Sequence, residues 1–312
     1  MRWLTTLFLT GALLLAAGAA PAQTRNGFDL AGALVPADEI RAGGPPRDGI
    51  PAIDRPRFVK ASEARFMRGD DRVLGVVRND IVKAYPVRIL NWHEIVNDRF
   101  GDEPIVVTFC PLCGTGMAYL SASGGRQLRF GVSGLLYNSD VLLYDRETES
   151  LWSQIMAQAV SGPMKGARLT SIVLAHTDWA DWRRRHPDTL VLSTDTGFAR
   201  DYARNPYAGY AEDSRIMFPV GARSTRYPPK EPVIGVEVGG RFKAYPFVEL
   251  ARVAGGEVRD SLGGQTLTVR FDAEARTGAV FDAQGRELPS LIAFWFAWYA
   301  FHEDTEVFQA KK

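Results

Sequence analysis

Cysteine is almost missing from this chain: Cys110 and Cys113 are the only thiols in 312 residues. Two cysteines supply at most one bridge, and none is needed as scaffolding, because a chain of this length with 46% hydrophobic residues buries an adequate core unaided. A charge surplus is missing too. With 37 Lys and Arg against 36 Asp and Glu, there is no basic excess to hold nucleic acid or an anionic membrane. The one dense basic run, Arg183-Arg184-Arg185, reads as the solvated face of a short helix. Beyond the N-terminal region no apolar run reaches the roughly 18–20 residues of a membrane span. The longest, residues 291–301, contains Trp295, Trp298 and Tyr299. Phosphate loop, dinucleotide fingerprint and Gly-x-Ser-x-Gly elbow are all lacking, so no nucleotide cofactor is expected, and the substrate or partner is left unassigned.

Among the features present, Arg2, the apolar residues 4–17 and Ala20-Pro21-Ala22 form a secretory pattern. It predicts a signal peptide at 1–22, cleaved before Gln23, and a soluble periplasmic or secreted protein. Residues 23–57, rich in Gly, Pro and Ala, predict an extended arm laid over the body, and residues 58–312 a single domain. That domain contains a duplication. Val73-Leu74-Gly75-Val76 and Lys83-Ala84-Tyr85-Pro86 return as Val233-Ile234-Gly235-Val236 and Lys243-Ala244-Tyr245-Pro246, and Asp98 and Phe109 return as Asp260 and Phe271. The pseudo-repeats, 71–110 and 231–272, each predict a β-hairpin, a short helix and a further hairpin. The expected fold is α+β: a strand-rich, two-lobed body with an internal pseudo-repeat and few short helices. The second copy lacks the chemistry, with Asp272 opposite Cys110 and Gly255-Gly256 opposite His93-Glu94.

Cys110-Pro111-Leu112-Cys113-Gly114 follows a predicted strand and precedes residues unsuited to a helix, so it fits a turn better than the helix start of a thioredoxin-like pair. Three readings stay open. A metal site needs further ligands, and of the four histidines, His176 and His186 flank a short helix and read as structural. His93 precedes the strand that delivers Cys110, and His302 shares a helical face with Trp295 and Trp298. Cys110, Cys113, His93 and His302 would hold zinc or copper, with Met117 a soft additional donor for copper. Alternatively the cysteines form a periplasmic thiol–disulfide couple, or a stabilising pair in a non-catalytic binding or structural module. Asn138, Asp140, Tyr144 and Asp145 lie just beyond the turn in sequence. Asp140 and Asp145 are the candidates for general-base or substrate contact, although turn capping also explains Asp145.

The runs from Lys83-Ala84-Tyr85-Pro86 through Trp92-His93-Glu94, Cys110-Pro111-Leu112-Cys113-Gly114-Thr115, Tyr144-Asp145-Arg146-Glu147, Leu151-Trp152-Ser153-Gln154 and residues 294–302 resemble the bacterial domain-of-unknown-function family 3179. The resemblance spans nearly all of the chain beyond the signal. It implies an exported protein with this cysteine turn and an aromatic segment ending in His, and it carries no activity. It also implies Pro after that His, where this chain has Glu303.

Overall fold

The computed structural model describes residues 24–311; the expected signal at 1–22 lies outside the described residues. Strands account for 41% and helix for 10%, and five small sheets are arranged as a five-bladed β-propeller. This corrects the expectation of an α+β body with two lobes.

The blades follow from the duplication. In blade 1, Arg72–Arg78 and Ile81–Pro86 form a hairpin flanked by Ala175–Asp178, Leu190–Leu192 and Phe58–Lys60. Blade 2 is Ile95–Phe100, Glu103–Cys110, Thr115–Leu120 and Ser171–Ile172. Blade 4, Pro232–Val238, Arg241–Pro246, Ser290–Phe294 and Glu306–Val307, repeats the plan of blade 1. Blade 5, Glu257–Leu262, Gln265–Asp272, Thr277–Phe281 and Glu287–Leu288, repeats that of blade 2. Blade 3 is unduplicated: Phe130–Tyr137, Asp140–Asp145, Leu151–Ser153 and Gln158–Ser161, with Arg41–Ala42 added at its edge. Residues 24–48 run along this blade, burying Phe28, Leu30 and Ile40 against Leu135 and Leu142, and Ile53 then bridges to Val96 of blade 2.

Each copy buries its own apolar cluster, and the two copies also pack on each other. Ala175–Asp178 of the first copy packs against Thr277–Phe281 of the second, and Ser290–Phe294 of the second packs against Thr115–Leu120 of the first. Alternating apolar residues dictate strands, but not which sheet supplies the covering face, and here each copy covers the other. Inside each copy a buried ion pair joins consecutive hairpins, Lys83 to Asp98 and Lys243 to Asp260, both at 2.8 Å.

The duplication also runs through the strand–helix–strand units that complete blades 1 and 4. Trp179, Trp182, His186, Asp188 and Thr189 correspond to Trp295, Trp298, His302, Asp304 and Thr305. Trp182 and Trp298 donate Nε1–H to Thr189 and Thr305 at 3.0 and 2.9 Å. His186 and His302 lie on those indoles with ring centroids 4.3 and 4.2 Å apart. Each indole fills a place left by a glycine: a Cβ on Gly75 would come within 2.2 Å of Trp182, and one on Gly235 within 2.3 Å of Trp298. Gly235→Ala should therefore destabilise the fold by overpacking, by about 1–3 kcal/mol, seen as a lower urea midpoint with an unchanged slope; an unchanged midpoint would mean that the indole moves freely.

Candidate metal centre

Two tight turns build the site. Cys110 ends the strand Glu103–Cys110 and pairs with Thr115, so residues 111–114 are a hairpin loop. Gly114 has φ 62°, and the ring of Phe294 lies 3.0 Å from where its Cβ would be, while Phe294 N–H donates to the Cys113 carbonyl at 2.8 Å. A side chain at 114 would displace the ring and loosen the turn. The second turn, Asn138-Ser139 of blade 3, has φ 51° and 64°, the two positive values of a type I′ hairpin. Its Asn138 is tied on both sides, donating to Ala300 O at 3.0 Å and accepting from Gly221 N–H at 2.8 Å.

These turns bring the thiols to Asp140. Both Sγ atoms and a carboxylate oxygen of Asp140 lie within 4.8 Å of one another, and all three residues are at most 1% exposed. The thiols donate to the Ser139 carbonyl, Cys113 at 3.4 Å and Cys110 at 3.9 Å. Asp140 Oδ2 accepts from Ile155 N–H at 3.1 Å, while Oδ1 is buried with no hydrogen-bond partner.

Burial pushes Asp140 from its ordinary 3.8 up to about 7, with the Ile155 amide and the two thiols holding it back. Glu94, also buried, is pushed to about 8 by desolvation and by the charge of Asp140. The Cys110 thiol is raised by burial, and that of Cys113 is raised further by burial and by Cys110. No basic side chain is among the groups acting on these four. They are two acids and two thiols whose protonated forms are favoured by lack of water, a bias that a metal dication would reverse.

Glu94 adds backbone strain. Its φ is 56°, and its carbonyl accepts from Phe109 N–H at 2.7 Å. The duplicated position in the second copy is Gly256, with φ 65°. The fold demands a left-handed residue there; the first copy places a carboxylic acid in it, at a cost of about 1–3 kcal/mol.

The expected four-ligand set is not gathered. His93 and His302 are outside the group of close donors, and both have other duties. His93 is neutral, its pKa lowered by burial. Its Nδ1–H donates to Pro51 O at 2.7 Å, and its Nε2 accepts from Tyr202 O–H at 2.7 Å, which joins residues of the N-terminal segment to the long loop after 193. His302 is stacked on Phe242 at 4.0 Å and lowered to about 4 by burial. Because His186 occupies the same place in the first copy, the His302 position belongs to the scaffold. Met117 accepts from Tyr119 O–H at 3.0 Å and lines, with His302, a cavity of about 470 Å³ whose lining includes neither cysteine. Asp145 is engaged within its own turn: it accepts from Thr148 N–H at 2.6 Å, Thr148 O–H at 2.9 Å and Trp152 Nε1–H at 2.8 Å, which makes it a turn residue. Of the two acidic candidates, only Asp140 reaches the thiols.

Fold and site together define a class: a β-propeller with a buried dithiol–carboxylate cluster. No described helix is long and apolar enough to cross a membrane. By sequence, the chain belongs to the family described as "Protein of unknown function (DUF3179)", whose model matches residues 47–305. No curated protein and no solved structure matches the chain significantly.

Two expectations follow. The folded, metal-free protein holds protons on Asp140 and Glu94 at pH values where the unfolded chain has released them, so their contribution to stability falls as pH rises from about 4 to about 8. In EDTA, the melting temperature of wild type relative to Asp140→Asn should drop between about pH 5 and about pH 8; a difference that stays flat would place the Asp140 carboxyl in water. Separately, Glu94→Gly should raise metal-free stability at neutral pH by about 1 kcal/mol or more, and a lower denaturation midpoint would show that the carboxyl is a structural strut.

Proposed function

We propose that this is an exported metal-binding protein whose centre is Cys110, Cys113 and Asp140. The observation that carries the reading is the unpartnered, buried Oδ1 of Asp140 beside two buried thiols, with no basic side chain among the described groups that act on them. Loss of the thiol and carboxyl protons to a bound dication would balance their charge and account for burial that otherwise only destabilises. Two thiolates and a carboxylate form a mixed soft and hard donor set. That suits zinc better than monovalent copper, which prefers sulfur alone. Three protein ligands leave one tetrahedral position, for which the Ser139 carbonyl and a water are the candidates, with Glu94, coupled to Asp140 by charge, as a proton holder. Export rests on the secretory pattern of residues 1–22. There, metal binding would also protect the thiols from oxidation.

The thiol–disulfide alternative is less favoured. A redox cysteine needs an accessible thiolate of low pKa, whereas these thiols are buried and their pKa values are raised. The test is metal content by inductively coupled plasma mass spectrometry after incubation with zinc and desalting, together with zinc titration of the variants. One zinc per chain is expected. Cys113→Ser and Asp140→Asn should each lose at least about tenfold in affinity, while His93→Ala and His302→Ala retain it if they fold. Zinc-free wild type would sink the proposal, as would affinity lost with the histidines but kept in Asp140→Asn.

A further inference from the structure

A second candidate site adjoins the cysteine turn. A cavity of about 250 Å³ is lined by Pro111 and Gly114 of that turn and by Arg276 of its duplicate, the hairpin loop between Gln265–Asp272 and Thr277–Phe281. Strand register makes the relation specific: Cys110 pairs with Thr115 as Asp272 pairs with Thr277, so Gly114 corresponds to Arg276. Other lining residues are also related by the duplication, Arg72 to Pro232, Val87 to Phe247 and His176 to Ile292. At three of these four pairs one copy supplies a small or apolar residue and the other a cationic or imidazole side chain.

The polar part of the lining is underused. Arg72 donates only to carbonyls, those of Ala275, His176 and Arg276 at 2.7, 2.9 and 3.0 Å. Neither Arg72 nor Arg276 forms an ion pair among the described residues. His176 is 9% exposed, and its Nδ1 is buried without a partner. One carboxylate, Glu212, shares the lining with the two guanidinium groups, which leaves it net positive. The remaining walls include five aromatic rings, three of them wholly apolar, Phe109, Phe247 and Phe294, beside Tyr207 and Tyr210. Cation, unpaired imidazole and rings in one small cavity specify both ends of a ligand.

We infer that this cavity binds a small organic carboxylate with a flat apolar body, its carboxylate on Arg72 and Arg276 beside His176 and its ring among Phe109, Phe247 and Phe294. A guanidinium suits a carboxylate because its N–H groups match both oxygens. The inference is independent of the metal reading, since neither thiol lines the cavity.

Benzoate is the probe, with benzyl alcohol as its uncharged counterpart and inorganic phosphate as an anion without a ring. Isothermal titration calorimetry of the full chain should give saturable benzoate binding, at least about tenfold tighter than either control. The diagnostic variant is Arg276→Gly. Arg276 is exposed and has φ 48°, and its duplicate is Gly114, so the change removes the charge and suits the backbone. Its melting temperature should be equal or higher and its benzoate affinity at least about tenfold lower. A second variant, His176→Phe, keeps an aromatic ring while removing the imidazole nitrogens and should also weaken benzoate. The inference is overturned by an absence of saturable benzoate binding, by equal binding of benzyl alcohol or phosphate, or by undiminished affinity in folded Arg276→Gly.

Discussion

Each half of the duplicated chain buries the edge strand of the other, and the remaining structure is arranged around that exchange. Ala175–Asp178 lies on the sheet of the second copy and Ser290–Phe294 on that of the first. Each copy has an apolar cluster of its own, and these two strand contacts join the copies to each other. A tryptophan wedged onto a glycine in each copy, Trp182 on Gly75 and Trp298 on Gly235, locks the strand–helix–strand units in place. The exchange also brings the two equivalent hairpin loops, one ending at Gly114 and the other at Arg276, to a common cavity.

Duplication followed by divergence then accounts for the uneven chemistry. The same backbone position is Glu94 in one copy and Gly256 in the other, and the same loop position is Gly114 in one and Arg276 in the other. In both cases the conformation is left-handed, so glycine is the unstrained choice and the non-glycine residue must be held by its surroundings. Each non-glycine residue adds an ionisable group, one that feels the charge of Asp140 and one at the shared cavity. Around Cys110, Cys113 and Asp140 the electrostatics point one way: enclosed acids with no basic side chain among the described groups that act on them either keep protons or exchange them for a metal ion.

Local features were well marked in the sequence. The repeated hairpins, the cysteine turn and the Asn138-Ser139-Asp140 segment all depend on residues adjacent along the chain, and alternation and turn chemistry report them. The partnership of Asp140 with the thiols was within reach, since Asp140 stood among the candidates. His93 and His302 were drawn to the metal because the second copy has no counterpart to His93 and because an imidazole beside buried indoles lacked another use. A second correspondence, Trp179, Trp182 and His186 with Trp295, Trp298 and His302, assigns His302 to the scaffold, but its spacing differs from that of the hairpin repeat. Arg72, His176 and Arg276 carried no local signal at all, being separated in the chain and joined only in the cavity.

The sequence by itself determined the strands, the turns, the duplication and the presence of one thiol pair, because backbone preference and side-chain alternation act over a few residues. Which sheets cover one another, which acid meets the thiols and which imidazoles serve the scaffold were decided by tertiary structure. Those outcomes depend on burial and on distances between remote segments, and desolvation, the force that sets the protonation of Asp140 and Glu94, exists only after the chain has closed over them.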